Sequence, residues 1–226
     1  MRGMYGHLVS RPEVAAWPLE VAQLLEEHHV EAWSRSAQAR DRFAADLAET
    51  LAKFDDTHVC ILDGSHVVDL PSFCTALHRA LGGHAGSAED EIDLTVDGDS
   101  GVVSALRRRP ITGDGGDADG DGRPLKRRFL LWREAHILLK HEPRLFGRLA
   151  DAIVGVAAEG EFVSDDVLFL QRAVFVGAPA LDVYAEDPRS QFNAWFVEAG
   201  EAPLWRVITG LRGPSVARWR IGDDLT

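Results

Sequence analysis

Short apolar runs recur along this chain, each followed by a stretch with helical periodicity, and that alternation limits the fold more than any single motif does. His58-Val59-Cys60-Ile61-Leu62, Phe129-Leu130-Leu131-Trp132 and Ala173-Val174-Phe175-Val176 are too short for buried helices and too continuous for strands with one wet face. Runs of that kind predict strands covered on both sides. After the first comes helical spacing at Phe73, Leu77 and Leu81. After the second it runs through Leu139 and again through Phe146, Leu149, Ile153 and Val156, with Pro143 dividing the two helices. Ala180–Ala185 follows the third. The pattern predicts an α/β fold of three layers, a mainly parallel sheet of four or five strands with helices on both faces. Glu91–Val96 is a further candidate strand, and Gly101–Arg109 a short helix ended by Pro110.

Ahead of these runs, Val21, Leu24, Leu25 and His28 share one helical face from Pro18, and Phe43, Leu47, Leu51 and Phe54 share another from Ala37. Residues 1–56 therefore read as an N-terminal helical extension packed on an α/β domain of residues 57–226. Asp69 is the expected N-cap of the helix through Leu77, and Gly82-Gly83 its stop. Residues 111–124, mostly Gly and Asp, are expected to form a mobile surface loop. The tail with Trp205, Val207, Trp219 and Ile221 is expected to add an edge hairpin.

A formal charge of −12 argues against generic binding to DNA or an anionic membrane, since a polyanion is repelled over most of such a surface. Cys60 and Cys74 are expected on a buried strand and the inner face of a helix, the usage of a reduced compartment. No apolar run is long enough to span a bilayer. These features predict a soluble, cytoplasmic protein whose partner is another protein of unknown identity, with no membrane and no nucleic acid.

The connection after Cys60 has the place of a phosphate-binding loop, a strand ending in Gly64 and leading to a helix. Such a loop needs glycines for backbone approach, a lysine for charge and a hydroxyl for magnesium. Asp69, Leu70 and Pro71 stand in those positions. Phe129–Trp132 is followed by Arg133-Glu134-Ala135-His136, which is similar to the acidic strand end of ATPases, with Glu134 in the place of the general base and Arg133 in that of the metal-binding aspartate. Val176-Gly177-Ala178-Pro179-Ala180-Leu181 adds a third likeness. Together, from about Phe43 to Phe196, the chain resembles a degenerate P-loop domain of AAA-type ATPases. The resemblance implies a retained fold, no cofactor, no metal and an interaction role, or an atypical nucleotide enzyme in which Glu134 is the base.

A second resemblance covers about half of the chain. Ile61–Leu70 with Phe73, Leu77 and Leu81 is similar to the opening strand and helix of barstar-like ribonuclease inhibitors, which present carboxylates to a basic nuclease. It implies an acidic inhibitor binding through Asp97 and Asp99, placed just before the short helix.

Other motifs read as structure. Asp117–Gly122 opens a calcium-loop pattern, but Arg128 occupies the position of the required glutamate. Gly98-Asp99-Ser100-Gly101 copies a serine-nucleophile tetrapeptide without a matching histidine motif. The histidines lack zinc spacing. Arg107–Arg109 and Lys126–Arg128 are expected to pair with the acidic loop between them.

Overall fold

A computed structural model describes residues 17–55, 57–82, 98–107, 127–160, 170–187 and 215–222. In chain order the elements are α1 (Trp17–Glu27), β1 (His28–Trp33), α2 (Ala37–Leu51), β2 (Thr57–Asp63), α3 (Leu70–Ala80), α4 (Gly98–Arg107), β3 (Arg127–Arg133), α5 (His136–His141), α6 (Pro143–Gly160), β4 (Leu170–Gly177), α7 (Ala180–Glu186) and β5 (Ser215–Arg220). The strands form one five-stranded sheet in the order β2-β3-β4-β1-β5, and every neighbouring pair is parallel.

Side chains alternate across this sheet and build two cores. Leu130 and Trp132 of β3 and Ala173 and Phe175 of β4 face α3, α4, α5, α6 and α7. Their neighbours Phe129, Leu131, Val174 and Val176 face α1 and α2 instead. Trp132 anchors the first core, its ring centroid 5.0 Å from Phe73, 5.4 Å from Phe146 and 6.0 Å from Phe175. Trp17 stacks on Phe43 at 4.7 Å in the second. The three-layer α/β arrangement expected from the sequence is present, with Pro143 opening α6 as expected. Asp69 is the N-cap of α3 and forms a capping box with Ser72.

Three expectations need correction. The first helix does not include His28, because a strand unforeseen in the sequence, β1, lies between the two N-terminal helices and pairs with both β4 and β5. His28, His29 and Glu31 broke its apolar run, yet His29 and Glu31 are fully buried. The ring of His29 accepts a hydrogen bond from the Ala173 N–H at 2.9 Å, which satisfies a nitrogen that the hydrophobic pattern treats as a misfit. The helix expected from Gly101 begins at Gly98, so Asp99 belongs to its first turn rather than preceding it. Trp219 and Ile221 lie in and beside an edge strand parallel to β1, and no hairpin is present among the described residues. The expected strand at Glu91–Val96 and the loop at 111–124 lie outside the described residues.

Since Trp132 is fully buried among three aromatic rings, Trp132→Ala should lower stability by about 3–5 kcal/mol, read as a fall in the midpoint of urea unfolding at unchanged slope.

Candidate functional site

Connections leaving β2, β3 and β4 enter α3, α5 and α7 on one face of the sheet, whereas the connection leaving β1 enters α2 on the other. The connections leaving the adjacent strands β1 and β4 therefore turn to opposite faces, while the strands themselves stay paired through Trp33 and Gly177, and open α/β sheets bind ligands in the crevice at such a switch point. The turn after β2, which the sequence nominated as the phosphate loop, is at the far edge of the sheet. Its features serve the fold. The Gly64 N–H donates to Arg133 O at 2.9 Å, and a Cβ at Gly64 would lie 2.3 Å from that oxygen, so only glycine fits. Asp69 accepts from the Ser72 N–H at 2.9 Å, while Ser72 Oγ accepts from the N–H groups of Val68 and Asp69 at 3.1 Å. These bonds with Ser72 hold the Asp69 carboxyl below the usual carboxylate range. Donors that an anion would require are already engaged by the chain itself.

At the switch point the connection from β1 to α2 is only Ser34-Arg35-Ser36. Ser36 caps α2 by accepting from the Ala39 N–H at 3.2 Å, and Ser34 Oγ accepts from the Ser36 N–H at 3.1 Å. A loop of the G-x-x-x-x-G-K-[ST] kind has no room in three residues.

One turn into α2, Arg40 reaches back across the crevice. Its Nε donates to Glu134 Oε1 at 2.7 Å and its Nη2 to Oε2 at 3.0 Å, the bidentate geometry that suits guanidinium and carboxylate. Nη1 donates to the carbonyls of Ser34 and Arg35 at 2.9 and 3.3 Å. The two side chains are 7% and 15% exposed, so the pair is largely shielded from solvent. Beside it, Arg133 donates to Asp41, giving α2 a crossed double clamp on residues 133 and 134. His136 Nδ1 lies 3.5 Å from Glu134 Oε2 without hydrogen bonding to it. Burial lowers the His136 pKa against the pull of Glu134.

Glu134 has φ of 53°, the one described non-glycine residue in the left-handed region. That conformation is costly for a residue with a Cβ and persists where surrounding contacts over-determine it. Here the contacts are the Arg40 fork and the Ala135 N–H donating to Val176 O at 2.9 Å.

Of the residues singled out in the sequence, Glu134 is at the crevice, where its carboxylate is committed to Arg40. Asp97 lies outside the described residues. Asp99 is on α4, with its side chain outside the described set. Sequence reasoning missed Arg40, Ser34 and Ser36. Arg40 did leave a signal, since it stands three residues before Phe43 and seven before Leu47, a charge on the buried stripe of α2. Among the described residues no three His, Cys, Asp or Glu side chains gather as a metal site, and no helix is long and apolar enough to cross a membrane.

No family model matches this sequence, and no curated protein matches it. A crystal structure of Cdc6p from Pyrobaculum aerophilum overlaps the fold with a TM-score of 0.41 and 16% sequence identity, over 95% of this chain and 47% of that one. The chain thus spans about half the length of that structure. So loose an overlap carries neither a family nor an activity.

The strain at residue 134 can be measured. Glu134→Gly and Glu134→Ala both delete the ion pair, but only glycine relieves the backbone, so the glycine variant should be the more stable by about 1 kcal/mol in urea unfolding. An alanine variant as stable as the glycine one would contradict the strain.

Proposed function

We propose that this protein is a non-catalytic α/β scaffold, a protein-interaction module of P-loop-like descent whose nucleotide chemistry is lost. The single observation that carries this reading is the Arg40–Glu134 pair at the switch-point crevice. A carboxylate that acts as general base on a water must be free to take its proton, and a magnesium site needs a carboxylate facing the ion. Glu134 is held by both oxygens in an arginine fork, and Arg133 beside it carries a positive charge where a metal-binding aspartate would be required. The three-residue connection before α2 supports the same reading, because it supplies no ring of free backbone N–H groups for a phosphate.

An interaction role follows from what remains, a rigid sheet whose former ligand crevice is bridged by the protein's own side chains. The partner is a protein, in keeping with an acidic surface that disfavours nucleic acid.

Millimolar ATP with Mg²⁺ should leave the thermal unfolding midpoint unmoved, and Glu134→Gln should lower that midpoint while leaving no turnover to lose. A saturable rise with nucleotide, joined to hydrolysis that Glu134→Gln abolishes, would instead establish the enzyme reading in which Glu134 is the base. The interaction role is read by pull-down under native conditions. A defined protein recovered in stoichiometric amount supports it, and a chain that stays alone at working concentration counts against it.

A further inference from the structure

On the opposite side of β1 from the α2 layer, Glu31 is fully buried, and neither carboxylate oxygen has a hydrogen-bond partner among the described residues. Its register neighbour on β5 is Arg218, whose Nε is 3.9 Å from Glu31 Oε2. The same guanidinium also faces α7, with Nη1 3.9 Å from Asp182 Oδ1 and 3.4 Å from Glu186 Oε1. Three carboxylates thus converge on one guanidinium. Asp182 and Glu186 are one turn apart on a seven-residue helix, and like charges at that spacing weaken a helix too short to stand alone.

Among the described residues, the other elements around Glu31 add little compensating charge. On the same face β4 presents Gln171, which accepts from Arg128 of β3, and the apolar Ala173 and Phe175. His29, two residues back on β1, is directed to the Ala173 N–H. Arg220 of β5 acts on Asp182, which also accepts from the Trp33 side chain.

We propose that Glu31, Arg218 and the two α7 carboxylates form a proton-operated latch: with Glu31 protonated α7 stays seated on β1, and loss of that proton drives α7 off the sheet. Two physical terms give the direction. Burial pushes the Glu31 carboxyl up to about 8, the Asp182 and Glu186 charges push the same way, and Arg218 opposes them. Burial likewise raises the Asp182 carboxyl, with Glu186 adding and Arg218 opposing. An ionised Glu31 adds a third negative charge to a dry site, and the relief available is entry of water as α7 lifts. Among the described residues α7 is otherwise held through its apolar side and through Asp182, which accepts from the Trp33 side chain. Leu181 and Ala185 enter the core, and Tyr184 meets Phe146 edge-on at 5.4 Å. Because Leu181 abuts Gly177 at the end of β4, release of α7 also uncovers that side of the switch-point crevice.

The sign follows from linkage. A seated α7 holds a proton on Glu31 up to about pH 8, whereas a released one gives it up above its ordinary value of 4.5, so release is coupled to proton loss between those limits. The seated state is fully favoured below the lower limit and loses ground as pH rises through the upper one. Hydrogen exchange of the full chain followed by mass spectrometry, corrected for the intrinsic pH dependence of exchange, reads this directly. Opening of residues 180–186 should rise by up to about tenfold per pH unit across that window and level off above it, while residues 129–132 stay protected. Glu31→Gln should remove most of the rise of α7 exchange with pH, leaving only the smaller part that the raised Asp182 carboxyl contributes. Asp182→Asn combined with Glu186→Gln alters partly exposed groups and leaves the buried carboxyl in place, so it keeps the experiment decisive if the glutamine variant does not fold. This double variant should make the rise level off at lower pH. Wild-type protection of α7 that is flat with pH, or a rise unchanged in Glu31→Gln, would overturn the latch.

Discussion

Everything in this fold depends on keeping both faces of a parallel sheet out of water. A parallel strand cannot return by a hairpin, so each connection must carry a helix across one face or the other, and each face must then be apolar enough to hold it. Strands β3 and β4 meet that demand with unbroken apolar runs, dividing their side chains between the Trp132 core and the Phe43 core. The demand also creates the crevice. With α2 on one face and α3, α5 and α7 on the other, the connections leaving β1 and β4 have to turn apart, and something has to fill the opening between them.

What fills it is the chain itself. Arg40 spans the opening from α2 to Glu134 and ties off the carbonyls of the short β1–α2 connection with its remaining amino group. Replacing a buried pair with apolar groups is often harmless, whereas removing one partner strands a charge, so such a pair contributes more to fixing geometry than to net stability. Its geometric role is visible in the left-handed backbone of Glu134, a conformation that the clamp of α2 on residues 133 and 134 holds in place.

The layers, the parallel sheet, the Asp69 cap and the Pro143 break were legible because each rests on a local rule of period or turn chemistry. β1 was not. A strand reading His-His-Val-Glu-Ala-Trp has no apolar run, and it becomes buried only because β4 and β5 close over it, with His29 bonded to the Ala173 N–H and Glu31 facing Arg218. Missing β1 displaced the site, since the first visible strand, β2, then looked like the phosphate-loop strand although it sits at the sheet edge. Glu134 was legible as a carboxylate at a strand end. Its occupation by Arg40 was not, because the two are 94 residues apart and a single sequence carries no signal of that contact.

The central claim is that Arg40 and Glu134 act as one unit closing the crevice, and a double-mutant cycle tests it most directly. Unfolding free energies of the wild type, Arg40→Met, Glu134→Leu and the double variant would be compared by urea titration at pH 7. The account predicts that each single change costs about 3 kcal/mol, while the double change costs less than their sum by at least about 1.5 kcal/mol. Additivity within about 0.5 kcal/mol would show the two side chains to be independent and would contradict it.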